Sequence, residues 1–457
     1  MKMGDGMESE NRRMMRIMRA NTDWWINEKA VVGMNGKTYI GYFTDMGEVH
    51  IKEFDAKCSR ALSRDVCLCR LNHDFADEHN SPAVCVTESG KIIVIYTGHN
   101  SRGNVGLLRY RTTQRPYDIE SFSEQREIAF PGGVSYAQVF ENVEKHQIWL
   151  FTRVNGVNWS FSYSEDEGET WSKPVMFLRT ETTGQTKLYY LNVRKVRTRR
   201  DEKEYWFFAI YGHPRSSDHT IRAGLFDANG NLLHMNGEEA GFSLFKGGEA
   251  GDSFALSSLE PVYDAPENTS VRLLEVSPTL PYRVGLATFS YKDPENTLYP
   301  IAESLTYFMA RYDKETGWTL SDPICKGGEF LAPDMDDGSQ TYVGGMACYY
   351  GVGLAGCYHP WNYTNTDRVY IARFDGKARV LESYITHDAG KSYLLEETLR
   401  SIPADPGKPA GDQIKIWRPI VPIHAEDNFP VYWHEGTYMA HTGGWHSNVV
   451  GYVEYDD

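Results

Sequence analysis

Ser164-Glu165-Asp166-Glu167-Gly168-Glu169-Thr170-Trp171 closes the stretch whose reading decides the fold. The stretch opens at His79-Asn80-Ser81-Pro82. It runs through the apolar segment Lys91-Ile92-Ile93-Val94-Ile95-Tyr96, then Gly98-His99-Asn100, Ser135-Tyr136 and Phe151-Thr152-Arg153. The octet encodes a tight hairpin turn: Asp166 can accept backbone N–H bonds, Gly168 supplies a positive φ, and Trp171 can pack beneath the turn. A weaker copy stands at Thr386-His387-Asp388-Ala389-Gly390-Lys391-Ser392-Tyr393. Degenerate turns at 227–230 and 313–317 take the same place after a strand.

Outward from this turn, one pattern repeats. A Gly or polar turn precedes about eight alternating apolar and aromatic residues, and a second such segment follows. The first members are 36–43, 90–97, 146–153, 203–210, 283–291, 351–358 and 436–442. Their partners are 49–55, 105–112, 159–164, 220–226, 305–312, 368–374 and 449–455. The repeat steps by about 55 residues early and up to about 85 later, a blade plus insertions. No amphipathic helix of comparable strength interleaves. Seven pairs predict an all-β fold, a seven-bladed β-propeller of four-stranded antiparallel blades. The expected organisation is a tail or short helix over 1–22 and a single propeller domain over 23–457. The chain ends on a strand, and pairing both termini in one blade would remove exposed edges.

The 457 residues carry a formal net charge of -15, which argues against a nucleic-acid binder, since that needs a basic face. An anionic ligand would need a local Arg or Lys cluster. No run approaches the ~18 apolar residues of a membrane span. The first 21 residues lack the apolar core of a signal peptide. Seven cysteines, odd in number and scattered, do not form a disulfide framework and read as free thiols. A cytoplasmic location is the resulting expectation.

His79 enters the first strand of its hairpin and His99 leaves the second, so antiparallel pairing brings the two imidazoles together at one end. Imidazole transfers protons near neutral pH. Tyr136 and Arg153 flank the next hairpin in the same way and belong at the same end. Arg forks onto a carboxylate, and Tyr can act as acid or base. His213 and Arg215, in Gly212-His213-Pro214-Arg215, would extend the cleft. Each residue alone reads more readily as a loop bond, a core ring or a rim ion pair; four at equivalent places in neighbouring blades read as a site. Cys357 with His359, and the group His434, His441 and His446, lack zinc spacing. Arg418-Pro419 reads either as substrate-facing or as a strand start.

At these residues the chain resembles a known family. The octet matches the Asp-box of neuraminidase-repeat proteins. The series His79-Asn80-Ser81-Pro82, His99, Tyr136, Arg153, Asp-box and Gly212-His213-Pro214 is similar to the propeller lyases, including the ulvan lyases and enzymes that cleave rhamnose from glucuronate. Motif support covers roughly 30–230. The resemblance implies β-elimination on a uronic acid, with His79, His99 and Tyr136 handling protons and Arg153 neutralising the carboxylate. No cofactor is required in principle. Some relatives carry a structural divalent metal, calcium or zinc, whose ligands do not map onto this sequence. The implied partner is a uronic-acid-containing oligosaccharide or polysaccharide. The alternatives are a propeller exo-glycosidase, sialidase-like or an α-L-rhamnosidase, and a non-catalytic glycan-binding propeller. Against a sialidase, the N-terminal third lacks an Arg-Ile-Pro motif; Arg400-Ser401-Ile402-Pro403 is a late, imperfect echo. Insertions after residue 230 are expected to narrow the cleft into an exo-type pocket for a short substrate.

Overall fold

The computed structural model describes residues 12–19, 30–55, 63–70, 77–99, 106–155, 158–178, 189–197, 203–212, 219–246, 253–277, 279–293, 296–333, 341–348, 351–352, 363–365, 368–423, 431–438 and 446–454. These form seven antiparallel sheets built on one four-strand plan, the blades of a propeller. The innermost strands are Ala30–Val32, Ala83–Val86, Val134–Asn142, Tyr189–Arg197, Thr269–Val276, Met346–Cys348 and Lys415–Ile420, and they number blades 1 to 7. Successive inner strands touch around the axis. Gln138 of blade 3 donates to the carbonyl of Leu191 in blade 4 (3.0 Å) and accepts from the N–H of Val193 (2.8 Å). The ring closes where Ile423, just after the inner strand of blade 7, exchanges backbone bonds with Ala30 and Val32 of blade 1.

Apolar alternation explains the packing. In blade 3, Trp149, Phe151 and Phe161 are buried, and Trp149 lies 4.1 Å from Trp206 of blade 4, centroid to centroid. Such aromatic contacts add ~0.5–1.5 kcal/mol each beyond the area they bury. No helix of the described residues is long and apolar enough to cross a membrane.

The expected strand pairs form in blades 1 to 5. Blades 6 and 7 differ. Met346–Cys348 pairs with Arg368–Phe374, while Gly351–Val352 forms a small hairpin with Tyr363–Asn365; residues 353–358 of the expected strand lie outside the described residues. Short apolar alternation fits either role, and sequence alone does not choose. In blade 7, Tyr432–Thr437 pairs with His446–Glu454, so Gly436 lies inside a strand rather than before one. The N-terminal segment is also corrected: Arg12–Arg19 is neither tail nor helix but the outermost strand of blade 7, paired with His446–Glu454. Both termini thus share one blade.

Two of the later insertions leave the ring away from the catalytic candidates. Asn231–Leu233 and Glu239–Ser243 pair below the upper half of blade 4, which is taken by Glu260–Asp264. The Gly351–Val352 hairpin follows a descending inner strand. Asn296–Pro300 extends blade 5 at the other end. Residues 334–340 and 439–445, on which the expected narrowing of the cleft by insertions after residue 230 also depends, lie outside the described residues.

Candidate active site

The two ends of each blade are distinguished by strand direction. In blade 3 Ser135 pairs with Arg153, whereas Ile148 pairs with Ser164. Tyr136 and Arg153 therefore lie at one end of the channel, and the Asp-box lies at the other. Blade 2 follows the same plan, with Ala83 opposite Ile95 and Val86 opposite Ile92. His79 and His99 flank the outer ends of these two strands, as antiparallel pairing predicts.

Local backbone features aim the side chains. Asp77 caps the single turn Glu78–Asn80, accepting from the N–H of His79 (2.9 Å), and so fixes the entry to blade 2. Asn80 accepts from the N–H of His99 (2.5 Å), tying the two loops together. Tyr136 has φ of 59° where the blade 3 register slips between Ser135 and Gln138. This bulge re-aims the ring towards blade 2.

The four residues expected at this end converge. The His79 and His99 rings stack with centroids 4.3 Å apart and an interplanar angle of 12°. Tyr136 lies 5.8 Å from both. The Tyr136 hydroxyl is 3.5 Å from His99 Nε2, and Arg153 Nη2 is 3.3 Å from the same atom. The Arg153 guanidinium sits over the Tyr136 ring at 4.2 Å. His213 and Arg215 lie outside the described residues, as do Cys357, His359 and His441.

Three groups at this site escaped sequence reasoning. Asp77 bonds both histidines: Oδ1 to His79 Nδ1, and Oδ2 to His99 Nδ1 at 3.1 Å. Its two-residue spacing from His79 and its capping role were the available signals. Tyr342, from the start of blade 6, places its hydroxyl 3.4 Å from His79 Nε2. Tyr190 of blade 4 has its ring 5.4 Å from the Arg153 guanidinium. No local signal marks Tyr342 or Tyr190, because ring closure delivers them. Burial raises the Tyr190 phenol above its ordinary range, although Arg153 and Arg272 pull it down. Burial likewise pushes neighbouring Tyr211 up to about 12, against Arg272 and Arg418.

This network assigns the tautomers. A carboxylate only accepts, so each imidazole carries its proton on Nδ1 and leaves a lone pair on Nε2. The histidines are not equivalent. The His79 side chain is 2% exposed and the His99 side chain 23%, so His99 is the one open to a ligand.

Asp77, His79 and His99 are also ligand types for a divalent ion, with donor atoms within 4.8 Å of one another. Their arrangement fits one poorly. Near-parallel stacked rings send their in-plane lone pairs side by side rather than to a common point. The two carboxylate oxygens match the two Nδ1–H groups directly.

His434 and Arg400 have structural partners. His434 is fully buried, stacks on Trp417 and faces the Arg418 carbonyl. Arg400 forks onto Glu435, joining blades 6 and 7 (2.9 and 2.8 Å). Arg418 is not a strand start. It sits inside the inner strand of blade 7, buried, with φ of 44° at a register shift.

The fold and this end of the channel define a seven-bladed Asp-box propeller with a His/Tyr/Arg centre. Residues 37–222 match the family described as BNR repeat-containing family member. Within that class the chain resembles the ulvan lyases. It is 30% identical to an ulvan lyase of Alteromonas sp. (strain LOR) over 177 residues, 34% of this chain and 35% of that one. It is 30% identical to an ulvan lyase of Pseudoalteromonas sp. (strain PLSV) over 115 residues, 22% of this chain and 23% of that one. The matches thus span about a third or less of these curated relatives. A PL25 ulvan lyase structure shares the fold with a TM-score of 0.59 at 14% identity, covering 97% of both chains. The same fold match holds for that lyase bound to -[GlcA(1-4)Rha3S]-.

Proposed function

We propose that the protein is a polysaccharide or oligosaccharide lyase that cleaves a uronic-acid-containing glycan by β-elimination. One observation carries the reading. His99 Nε2 lies between the Tyr136 hydroxyl and the Arg153 guanidinium, while its Nδ1 is tied to Asp77. The partial matches to ulvan lyases support it.

The chemistry follows from these groups. Arg153 pairs with the uronate carboxylate, where negative charge builds as the C5–H bond breaks. His99 Nε2 takes that proton. Electrons of the C5–H bond form the C4–C5 double bond, and the C4–O bond breaks. Tyr136 gives its proton to the departing oxygen and recovers one from His99 across their 3.5 Å contact. Asp77 holds His99 in the tautomer that leaves Nε2 basic. His79, shielded and held by Asp77 and Tyr342, supports the stack. A glycosidase reading is less well served. Hydrolysis usually needs two carboxylates facing the bond, and both oxygens of Asp77 are committed to imidazoles.

The natural substrate we propose is a short oligosaccharide met in a reducing compartment. Cys67, Cys69, Cys85, Cys325 and Cys348 are free thiols. The deciding experiment incubates the protein with uronate-containing oligosaccharides and follows the ultraviolet absorbance of the unsaturated product. Growth of that band is expected. New reducing ends without it would establish hydrolysis instead, and binding with no cleavage would leave a glycan-binding propeller.

A further inference from the structure

The two histidines belong to one chain of five groups. Asp77 stands at its middle, bonded through Oδ1 to His79 Nδ1 and through Oδ2 to His99 Nδ1. A tyrosine closes each end: the Tyr136 hydroxyl lies 3.5 Å from His99 Nε2, and the Tyr342 hydroxyl lies 3.4 Å from His79 Nε2. Both Nδ1 atoms carry their protons towards Asp77, so each Nε2 accepts and the phenols donate. The two arms differ in their surroundings. The His99 arm is partly open and has Arg153 Nη2 at 3.3 Å from Nε2, whereas the His79 side chain is 2% exposed.

Blade 6 places Tyr342 for this contact. Its carbonyl accepts from the N–H of Leu331 (2.7 Å), and the carbonyl of Thr341 beside it accepts from Arg272 Nε (3.3 Å). Its side chain packs against the buried group Leu331, Ala332, Trp417 and Tyr438. His79 thus faces Asp77 from its own turn, His99 from the next loop, Tyr136 from blade 3 and Tyr342 from blade 6, with Arg153 beyond His99. One carboxylate serves two imidazoles stacked 4.3 Å apart. Like charges that close suppress one another, so the pair takes up its first proton as a unit and its second only at much lower pH. The centre therefore holds one imidazolium. Turnover requires that it form on His99, the ring open to a ligand, and a proton already on His79 would stop His99 acting as a base.

We infer that Tyr342 is a positioning residue that reserves this single positive charge for His99, by donating its hydroxyl to the His79 lone pair that would otherwise take up a competing proton. This rests on the reading of His99 as the base of an elimination. A phenol donates a hydrogen bond more readily than it accepts one, so the contact favours the neutral ring. Burial of His79 adds to the same bias, because low-dielectric surroundings disfavour the charged form. With Asp77 on Nδ1 and Tyr342 on Nε2, the His79 ring is also held at both nitrogens, which fixes the plane on which His99 stacks.

The test reads ring protonation apart from turnover. Protein with isotopically labelled histidine nitrogens is titrated by NMR from about pH 5 to about pH 8, and His79→Ala and His99→Ala assign the two rings. In wild type the first proton should go to His99 while His79 stays neutral. In Tyr342→Phe it should be shared with His79. The same variant should lose about tenfold in kcat/KM near pH 6 and little near pH 8, because the acid limb of the profile moves up by about one unit. A tyrosine that only packs would lower the melting temperature and depress kcat/KM alike at every pH. In a His79→Gln background, adding Tyr342→Phe should move neither the His99 titration nor the acid limb. Tyr342→Leu, which also lacks the hydroxyl, serves if the Phe variant fails to fold. The inference is overturned if His99 alone still takes the first proton in a folded Tyr342 variant, if His79 takes it in wild type, or if the pH-dependent loss persists in the His79→Gln background. A wild type that forms no unsaturated product, but whose first proton moves to His79 when the hydroxyl is removed, would keep this role of Tyr342 and remove the lyase.

Discussion

Opposite ends of the neighbouring blades 3 and 2 use a carboxylate in opposite ways. At the rim, Asp166 accepts from the N–H and hydroxyl of Thr170 and the hydroxyl of Ser164, and Gly168 turns with φ of 85°. Trp171 then packs edge-on against Tyr110 of blade 2. At the mouth, Asp77 accepts instead from two imidazoles that can gain or lose protons. A carboxylate satisfied by backbone and hydroxyl groups fixes a turn. One satisfied by titratable rings sets their tautomers and so poises chemistry. Blades built on one plan carry both, which is how a rigid scaffold can hold a reactive centre at one end only.

The largest effect expected from this contrast is at His99. Replacing it with Ala should reduce turnover by ~10²–10⁴-fold, the range for general acid–base catalysis. The melting temperature should stay close to wild type, because a partly exposed loop residue contributes little to the core. His79→Ala should cost less turnover and more stability, since its ring is enclosed. Equal turnover losses in the two variants would erase the distinction drawn from exposure.

Asp77→Asn should come next. An amide cannot accept from both Nδ1–H groups, so one ring must change tautomer, and a loss approaching ~10⁴-fold has a precedent in other His–carboxylate pairs. Unchanged kinetics in Asp77→Asn would show that the carboxylate only caps the turn at Glu78–Asn80, as Asp166 does at the rim.

Asp166→Ala should do the reverse. Losing a turn-capping carboxylate costs ~1–2 kcal/mol, read by denaturant unfolding, while turnover per folded molecule stays at the wild-type level. A fall in specific activity would mean that the rim and the mouth are coupled.

A further effect at the rim is pH-dependent and leaves the mouth untouched. Burial pushes the Glu141 carboxyl up to about 7 from 4.5, against the pull of Lys195 and a backbone bond from Glu88. A raised folded pKa contributes stability that is full below the unfolded value and lost as pH rises through the folded one. Wild type should therefore lose on the order of 1–3 kcal/mol from this group between pH 5 and 8. Glu141→Gln should lack that loss, gaining on wild type as pH rises. Parallel stability profiles for the two proteins would place Glu141 in contact with water.

Much of this was legible in the chain itself. Period-2 alternation bounded by turn residues sets strands, and the octet at Ser164 sets the hairpin turn, because both depend on neighbours a few residues apart. His79 with His99, and Tyr136 with Arg153, were legible for the same reason: a single hairpin brings each pair together. Where two short apolar segments competed for one inner-strand position, as Met346–Cys348 and Gly351–Val352 did, alternation could not choose. Asp77 was visible as a residue but not as a partner of two rings, since the stacking of His99 on His79 is a product of packing. Tyr342 and Arg272 lie about 260 and 190 residues from His79, and only closing the ring brings blades 5 and 6 round to blade 2. Sequence thus determined the repeating unit and the residues each hairpin carries to its end. Tertiary structure decided which hairpins face one another, and so which charges meet at the mouth, because that juxtaposition depends on the number of blades in the circle rather than on any local spacing.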